Sequence, residues 1–316
     1  MKNKALIFGG NGFIGSHVAE AFQQAGFNVT IVMRSTASSP FIASLGAGLL
    51  RTDNFTAATL APLISGYPLV VNCTAEVRPH QTEATYRKTQ VALTHELLQA
   101  AQQAGAKRFM QLSTIAIYGP QPDSAITEEY PAQPQYAFQR SCWEREQLVR
   151  EFTQQSGMEY VILRPVGTFG KRSPLVAMLL QQHQQGFFPL IGHGNNRFSM
   201  IDTRDIGRAF VSLAGLKEAA NQTVLVKGYD TTWNEIHKTF DQVASRPSKR
   251  RALPVVIAYP LATLLEVITP RSKIPFLTRY MVHSATRTKL YNDQKIRQMG
   301  FVPAYSLQET VQELFR

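Results

Sequence analysis

Short apolar runs alternate with longer stretches of helical periodicity through the first half of the chain. Residues 5–8, 28–33, 69–73, 108–112 and 160–163 are dominated by branched and large apolar side chains, as buried strands are. Between them, 16–25, 86–104 and 141–155 have helical length and periodicity. The first two of these helices end before Gly26 and Gly105, a common C-terminal stop. Alternation of strand and helix predicts an α/β fold, a doubly wound parallel sheet with right-handed crossovers and helices on both faces. After Pro165 the pattern becomes irregular. A loop plus a helix is expected at 171–189, a further helix at 201–213 and a strand at 223–226. From 231 onward the chain reads as helical, with breaks at Pro247, Pro254, Pro260, Pro270 and Pro275.

The seven residues after the first strand are Gly9, Gly10, Asn11, Gly12, Phe13, Ile14 and Gly15. A glycine turn between a strand and a helix lets backbone approach a pyrophosphate, and the helix N-terminus supplies N–H donors and positive dipole. This context makes 1–166, with 198–228 returning, a dinucleotide-binding Rossmann domain. Residues 167–197 and 229–316 form a smaller, mainly helical substrate domain over the carboxyl ends of the strands. A site for NAD carries an acidic residue at the end of the second strand. Here Met33 and Arg34 stand there, followed by Ser35, and a guanidinium suits the 2′-phosphate of NADP. NADP is therefore the expected cofactor, with NAD possible.

The chain has 316 residues and a net charge of +11, which permits anionic ligands or surfaces without selecting one. No aromatic-basic stripe or motif points to nucleic acid. Two cysteines, Cys73 and Cys142, exclude a disulfide framework and a cysteine-rich zinc site, and the seven histidines show no metal spacing. The N-terminus lacks the pattern of a signal peptide. Residues 253–268 form the longest apolar stretch, interrupted by Pro260 and Glu266 and too short to span a membrane. A cytoplasmic protein is expected. Arg246, Lys249, Arg250 and Arg251 precede that stretch and Arg271 and Lys273 follow it. Such a helix can lie on an anionic membrane, but burial of its apolar face in the small domain is the expectation preferred here.

Several segments now line up with one family. Asp53, Cys73-Thr74-Ala75, 112–119 with Thr114, and Leu163-Arg164-Pro165-Val166 through Phe169-Gly170 follow one another at its spacing. So do 192–201 and Asp205. With the glycine loop, this resembles the extended short-chain dehydrogenase/reductase superfamily, the NAD-dependent epimerase/dehydratase group. In Arg251-Ala252-Leu253-Pro254 before an apolar helix, Pro275-Phe276-Leu277-Thr278, and Leu290-Tyr291-Asn292-Asp293 leading to Met299-Gly300-Phe301, the C-terminal half resembles its 3β-hydroxysteroid dehydrogenase-like and dihydroflavonol reductase-like branch. The resemblance implies adenine contact by Asp53, a cofactor wall from Thr74, Ala75, Pro165 and Val166, and a catalytic hydroxyl on Thr114.

The family's acid/base is a Tyr four residues before a Lys on one helix. The match at that spacing is Tyr136 with Arg140, and Glu144 further down the helix. Arginine replaces lysine; it remains able to depress the Tyr136 pKa, with different geometry. Gln90 stands where relatives often carry Asn. The implied activity is an NADP-dependent oxidoreductase that transfers hydride to or from a secondary alcohol or ketone of a medium-sized, fairly apolar substrate. Thr114 would hold the oxygen, Tyr136 would move the proton and Arg140 would assist electrostatically. The alternatives are a nucleotide-sugar epimerase or dehydratase, with Arg172 and Arg197 as candidate diphosphate arginines, and a non-catalytic cofactor-binding relative. The resemblance also implies a homodimer through the helix that follows Tyr136, with Cys142, Trp143, Leu148 and Val149 as apolar material.

Overall fold

A computed structural model describes residues 4–35, 40–271, 273 and 275–316. Met1, Lys2 and Asn3, read above for a leader, lie outside the described residues. The strands are β1 (Lys4–Phe8), β2 (Asn28–Met33), β3 (Gly48–Arg51), β4 (Leu69–Asn72), β5 (Arg108–Leu112), β6 (Glu159–Pro165), β7 (Gly167–Phe169), β8 (Phe187–Ile191), β9 (Phe198–Asp202), β10 (Gln222–Val226), β11 (Tyr229–Thr231) and β12 (Lys249–Leu253). The helices are α1 (Phe13–Gln24), α2 (Pro40–Ser44), α3 (Ala57–Ile64), α4 (Glu83–Arg87), α5 (Leu93–Gln103), α6 (Ala137–Ser156), α7 (Pro174–Gln184), α8 (Thr203–Ala214), α9 (Trp233–Val243), α10 (Val255–Ile268), α11 (Arg279–Ala285), α12 (Gln294–Gln298) and α13 (Leu307–Leu314).

Seven strands form one parallel sheet in the order β10-β6-β5-β4-β1-β2-β3. The order reverses at β1, where the chain leaves toward β2 on one side and β4 on the other. Crevices at such a switch point take ligands in open α/β sheets. Both faces of the sheet are buried. One core gathers Ile7, Phe22, Ile31, Val71, Met110 and Phe210 beneath α1 and α8. The other gathers Leu6, Phe8, Leu60, Val70, Leu98 and Phe109 beneath α3 and α5. Burial on two sides explains why these strands read as continuous apolar runs.

Some elements depart from the sequence expectation. β3 is an additional edge strand whose residues are mostly exposed, so it carries no buried run to read. The expected helix 86–104 is three pieces: α4, a π-helical segment at 88–92, and α5. Residues 198–202 form β9, in a small sheet with β7 and β11, before α8 begins. The region past 231 includes β12, which pairs with β8.

Candidate active site

The glycine loop has the backbone its sequence implies. Gly9 takes φ +73°, and a Cβ there would lie 2.7 Å from the Cys73 carbonyl carbon. A Cβ on Gly15 would drive into the Gly9 carbonyl oxygen. Gly12 caps α1 with no side-chain acceptor, so the first-turn N–H groups have no capping oxygen from its side chain. That is the donor set a pyrophosphate needs, and the residues fit a dinucleotide. At the end of β2, Arg34 and Ser35 are exposed. Ser35 N donates to Asp53 at 3.0 Å, and the Ser35 hydroxyl first and this backbone bond second hold the Asp53 carboxyl below its usual range. Arg51 also reaches this corner and donates to Ser35 O at 3.0 Å.

A cleft of about 280 Å³ opens beyond this loop at the carboxyl ends of β4, β5 and β6. Ile14, Ala75, Thr114, Tyr136, Pro165 and Val166 all line it, as do Arg145, Tyr280, His283 and Lys289. Phe13 lies one residue before the lining, edge-on to His17 at 6.2 Å. Thr74 is turned toward Asn72, whose Oδ1 accepts from its N at 3.0 Å and its Oγ1 at 2.6 Å. Thr114 Oγ1 accepts from Ala116 N at 3.1 Å, so its own hydrogen is left to donate into the cleft.

Helix α6 meets the cleft in a register different from the one its sequence suggested. Glu144 is a surface residue paired with Arg87. The buried acid is Glu146, fully enclosed and clamped by Arg164 Nε at 2.9 Å and Nη2 at 2.6 Å. Ser113 Oγ donates to it as well, at 2.5 Å. Burial pushes the Glu146 carboxyl up, and the bonds and charge of Arg164 overcome that and hold it down. Counting back by helical turns from Glu146 brings Cys142 and Phe138 to the inner face, and both line the cleft.

Arg140 is therefore not under the cleft. It is exposed, and it donates to Glu83 Oε2 at 2.7 Å and Gln135 O at 2.8 Å. The expected lowering of the Tyr136 pKa is also overturned. Burial raises it, and Arg140, turned outward onto Glu83, does not offset that. Tyr136 packs edge-on against Tyr280 at 5.7 Å.

Three residues outside the sequence reading complete the site. Tyr280, on α11, has its phenol pushed up to about 12 by burial, with Cys142 and Tyr136 adding to the shift. Lys289 has its ammonium pulled down to about 8, by burial first and Arg287 second. Its Nζ lies 5.9 Å from the Tyr280 ring centre. Arg145 is buried beneath the cleft, where it donates to Thr74 O at 3.0 Å and Leu112 O at 2.9 Å. Its Nε has no hydrogen-bond partner. No Asp or Glu lines the cleft among the described residues. Gln90 sits in the π-helical segment and bonds both backbone groups of Glu76, at 3.1 and 3.0 Å. π-Segments recur at functional sites because they turn a side chain out of helical register.

Other candidates are engaged elsewhere. Arg172 pairs with Glu20 at 3.1 Å and stacks 3.7 Å over Phe41, away from the cleft lining. Cys142 and Val149 face the subunit's own core, which removes two of the four apolar side chains expected at a dimer interface. Trp143 lies beneath the Arg150 guanidinium at 5.4 Å.

The model of the NAD dependent epimerase/dehydratase family matches residues 5–226. An N-acetyl-alpha-D-glucosaminyl-diphospho-ditrans,octacis-undecaprenol 4-epimerase of Escherichia coli O157:H7 is 27% identical, over 98% of this chain and 93% of its own. A 2-alkyl-3-oxoalkanoate reductase of Stenotrophomonas maltophilia is 24% identical over 98% of both chains. The fold is shared with a UDP-glucuronic acid 4-epimerase of Bacillus cereus solved with UDP-glucuronic acid and NAD. That structure superposes with a TM-score of 0.79 at 18% identity, covering 99% of this chain and 98% of the other.

Proposed function

The chain belongs to the NAD dependent epimerase/dehydratase family, and from that premise we propose that it is an NADP(H)-dependent reductase of a ketone on a medium-sized, fairly apolar substrate. The observation that carries this reading is the donor set of the cleft. The Thr114 hydroxyl, three phenols (Tyr136, Tyr280 and Tyr291) and the half-buried Lys289 ammonium line it, with no carboxylate among the described lining residues.

The bound cofactor supplies hydride from C4 of its nicotinamide. Thr114 holds the substrate oxygen with the hydrogen that Ala116 leaves available. Tyr280 donates the proton as that oxygen takes on charge, and Lys289 stabilises the phenolate left behind. Burial raises both phenols, so each rests protonated, and Tyr280 is the one assigned here to give its proton. Arg34, with Arg51 beside it, provides the cationic corner for a 2′-phosphate. The cleft geometry supports this relay better than one through Arg140, which bonds Glu83.

A second reading has its own support. The family's Tyr–Lys pair belongs on the inner face of α6, where this chain carries Phe138 and Cys142. A cofactor-binding protein without turnover follows if Tyr280 and Lys289 do not take over. The nucleotide-sugar epimerase reading draws on the fold shared with the UDP-glucuronic acid 4-epimerase, whereas the E. coli relative's name is that of an epimerase of a sugar on a polyprenyl diphosphate; Arg172, one of the two diphosphate candidates, is held by Glu20. NADPH oxidation followed at 340 nm across a panel of aliphatic, aromatic and steroidal ketones tests the proposal. Turnover on an apolar ketone that is lost in Tyr280→Phe supports it. NADPH binding with no turnover on any member establishes the second reading instead.

A further inference from the structure

Helix α10 is apolar nearly all round, yet the fold buries only a narrow stripe of it. Ala258 and Ala262 are fully enclosed, and Leu265 is partly so, against Leu277 and Val282 of the α11 region. The remaining large side chains face outward. Val256 is 81% exposed, Val267 77% and Ile268 61%, and Phe276, just past the helix, is 76% exposed. Eight of the fifteen exposed large apolar side chains among the described residues lie on this one helix. The expectation that α10 buries its apolar face is thus overturned. Contiguous exposed apolar surface of this kind marks an interaction site.

Its charge pattern is one-sided. Glu266 is the sole acid between 242 and 273, and Arg279 bonds it at 2.6 Å from the side chain and 2.8 Å from the backbone. Six cations flank the helix: Arg246, Lys249, Arg250 and Arg251 before it, and Arg271 and Lys273 after it, all exposed. No helix among the described residues is long and apolar enough to cross a membrane. Exposed apolar surface with cations at both ends suits an anionic lipid interface, where apolar side chains enter the acyl boundary and Lys and Arg meet the headgroups.

We propose that α10 docks this protein on an anionic lipid bilayer, with Val256, Leu264, Val267, Ile268 and Phe276 entering the acyl boundary and the six flanking cations meeting the headgroups. A second copy is the poorer occupant. An isologous pairing through α10 would bring two sets of six cations together on chains that each carry +11. The surface also adjoins the cleft. The helix packed against it, α11, carries Tyr280 into the cleft, and Gln81 Nε2 donates to Arg271 O at 2.7 Å, tying the end of α10 to the loop after β4. Docking therefore sets the cleft mouth beside the lipid, whatever reaction the cleft runs.

Flotation of the full chain with vesicles of equal parts phosphatidylglycerol and phosphatidylcholine tests this, with phosphatidylcholine vesicles alone as the comparison. Binding is expected to the anionic vesicles, weakening with added salt. Lys249→Gln and Arg271→Gln, one on each flank, should each weaken it about fivefold, the usual value of one cation near the surface. Val256→Glu with Val267→Glu should abolish it without moving the melting temperature, because both side chains are already in solvent. A Val267→Trp reporter should shift its emission to the blue on the anionic vesicles. No flotation at low salt, equal flotation on neutral vesicles, or a wild-type dimer that Val256→Glu converts to a monomer would each overturn the proposal, the last in favour of a second copy.

Discussion

Arg164 on β6 and Glu146 on α6 meet in a buried two-point clamp, Nε to Oε1 at 2.9 Å and Nη2 to Oε2 at 2.6 Å. Arg164 also donates to the Tyr118 hydroxyl at 2.6 Å, and Arg150 donates to Glu146 at 2.7 Å from the edge of the same cluster. This clamp fixes the rotation of α6 about its axis, and with it which residues face the cleft. Replacing Glu146 with Gln leaves two guanidiniums without their countercharge inside the protein. The expected cost is about 3–5 kcal/mol, the usual effect of removing one member of a buried ion pair. Urea denaturation of Glu146→Gln checks it; Glu144→Gln, on the surface, should cost under about 1 kcal/mol.

The same clamp explains why the rotation of α6 over the cleft was not legible in the sequence. Tyr136, Arg140 and Glu144 have the right spacing along the chain, and so do Phe138, Cys142 and Glu146. Only the partner of the acid tells the two sets apart, and Arg164 is reached through folding. Tyr280 and Lys289 were hidden for a related reason: they arrive from α11 and from the bridge after it, over 130 residues away in the chain, with no local motif. The glycine loop was legible because Gly9, Gly12 and Gly15 fall close together where a strand gives way to a helix, a local pattern, although the Cys73 backbone that crowds Gly9 comes from the end of β4. The seven-stranded sheet was legible because two-sided burial writes apolar runs into the sequence. The edge strand β3 lacks such a run, and for α10 the sequence offered apolarity without saying which surface would meet it.

Cofactor choice rests on the corner where β2 and β3 end. Arg34→Ala removes the cation best placed for a 2′-phosphate. NADPH affinity should fall about tenfold or more, as for the loss of a hydrogen bond to a charged group, while NADH affinity holds. Calorimetric titration of both cofactors decides it, and tighter NADH binding by the wild type would count against NADP.

Acid lability should centre on His17. Its Nε2 lies 3.0 Å from Lys171 O, its Nδ1 lacks a hydrogen-bond partner, and burial lowers its pKa to about 4. In the unfolded chain a histidine takes up its proton near pH 6.5. Between these values the unfolded state binds more protons, so stability falls as pH drops from 6.5 to 4, by about 3 kcal/mol at most. Thermal melts across that range should show the loss, and His17→Gln should flatten it.

Lys289 predicts the alkaline limb of activity. Its ammonium, lowered to about 8, is charged below that pH and neutral above it. If it stabilises the Tyr280 phenolate, turnover falls as pH rises through about 8. The limb should move upward in Lys289→Arg, because guanidinium keeps its charge, and vanish in Lys289→Met along with most of the rate. A profile unchanged in Lys289→Met would remove the residue from the relay.

The proposed proton donor, Tyr280, is not the tyrosine the sequence offered, which was Tyr136 assisted by Arg140. Tyr280 is buried beside Cys142, with the Lys289 ammonium 5.9 Å from its ring centre; Tyr136 caps α6 and packs on it at 5.7 Å, under the influence of Arg279 and Arg287. Arg140 is held outside by Glu83. Tyr280→Phe should cost about 10²–10⁴ in kcat, the range for a positioned acid, with NADPH affinity unchanged. Tyr136→Phe keeps the ring that packs on Tyr280 and should cost less than about tenfold, mostly in KM. Arg140→Lys should leave both constants near wild type, because the residue meets solvent and Glu83 rather than substrate. The reverse order, with Tyr136→Phe inactive and Tyr280→Phe active, would return proton transfer to the start of α6 and leave Lys289 without its partner.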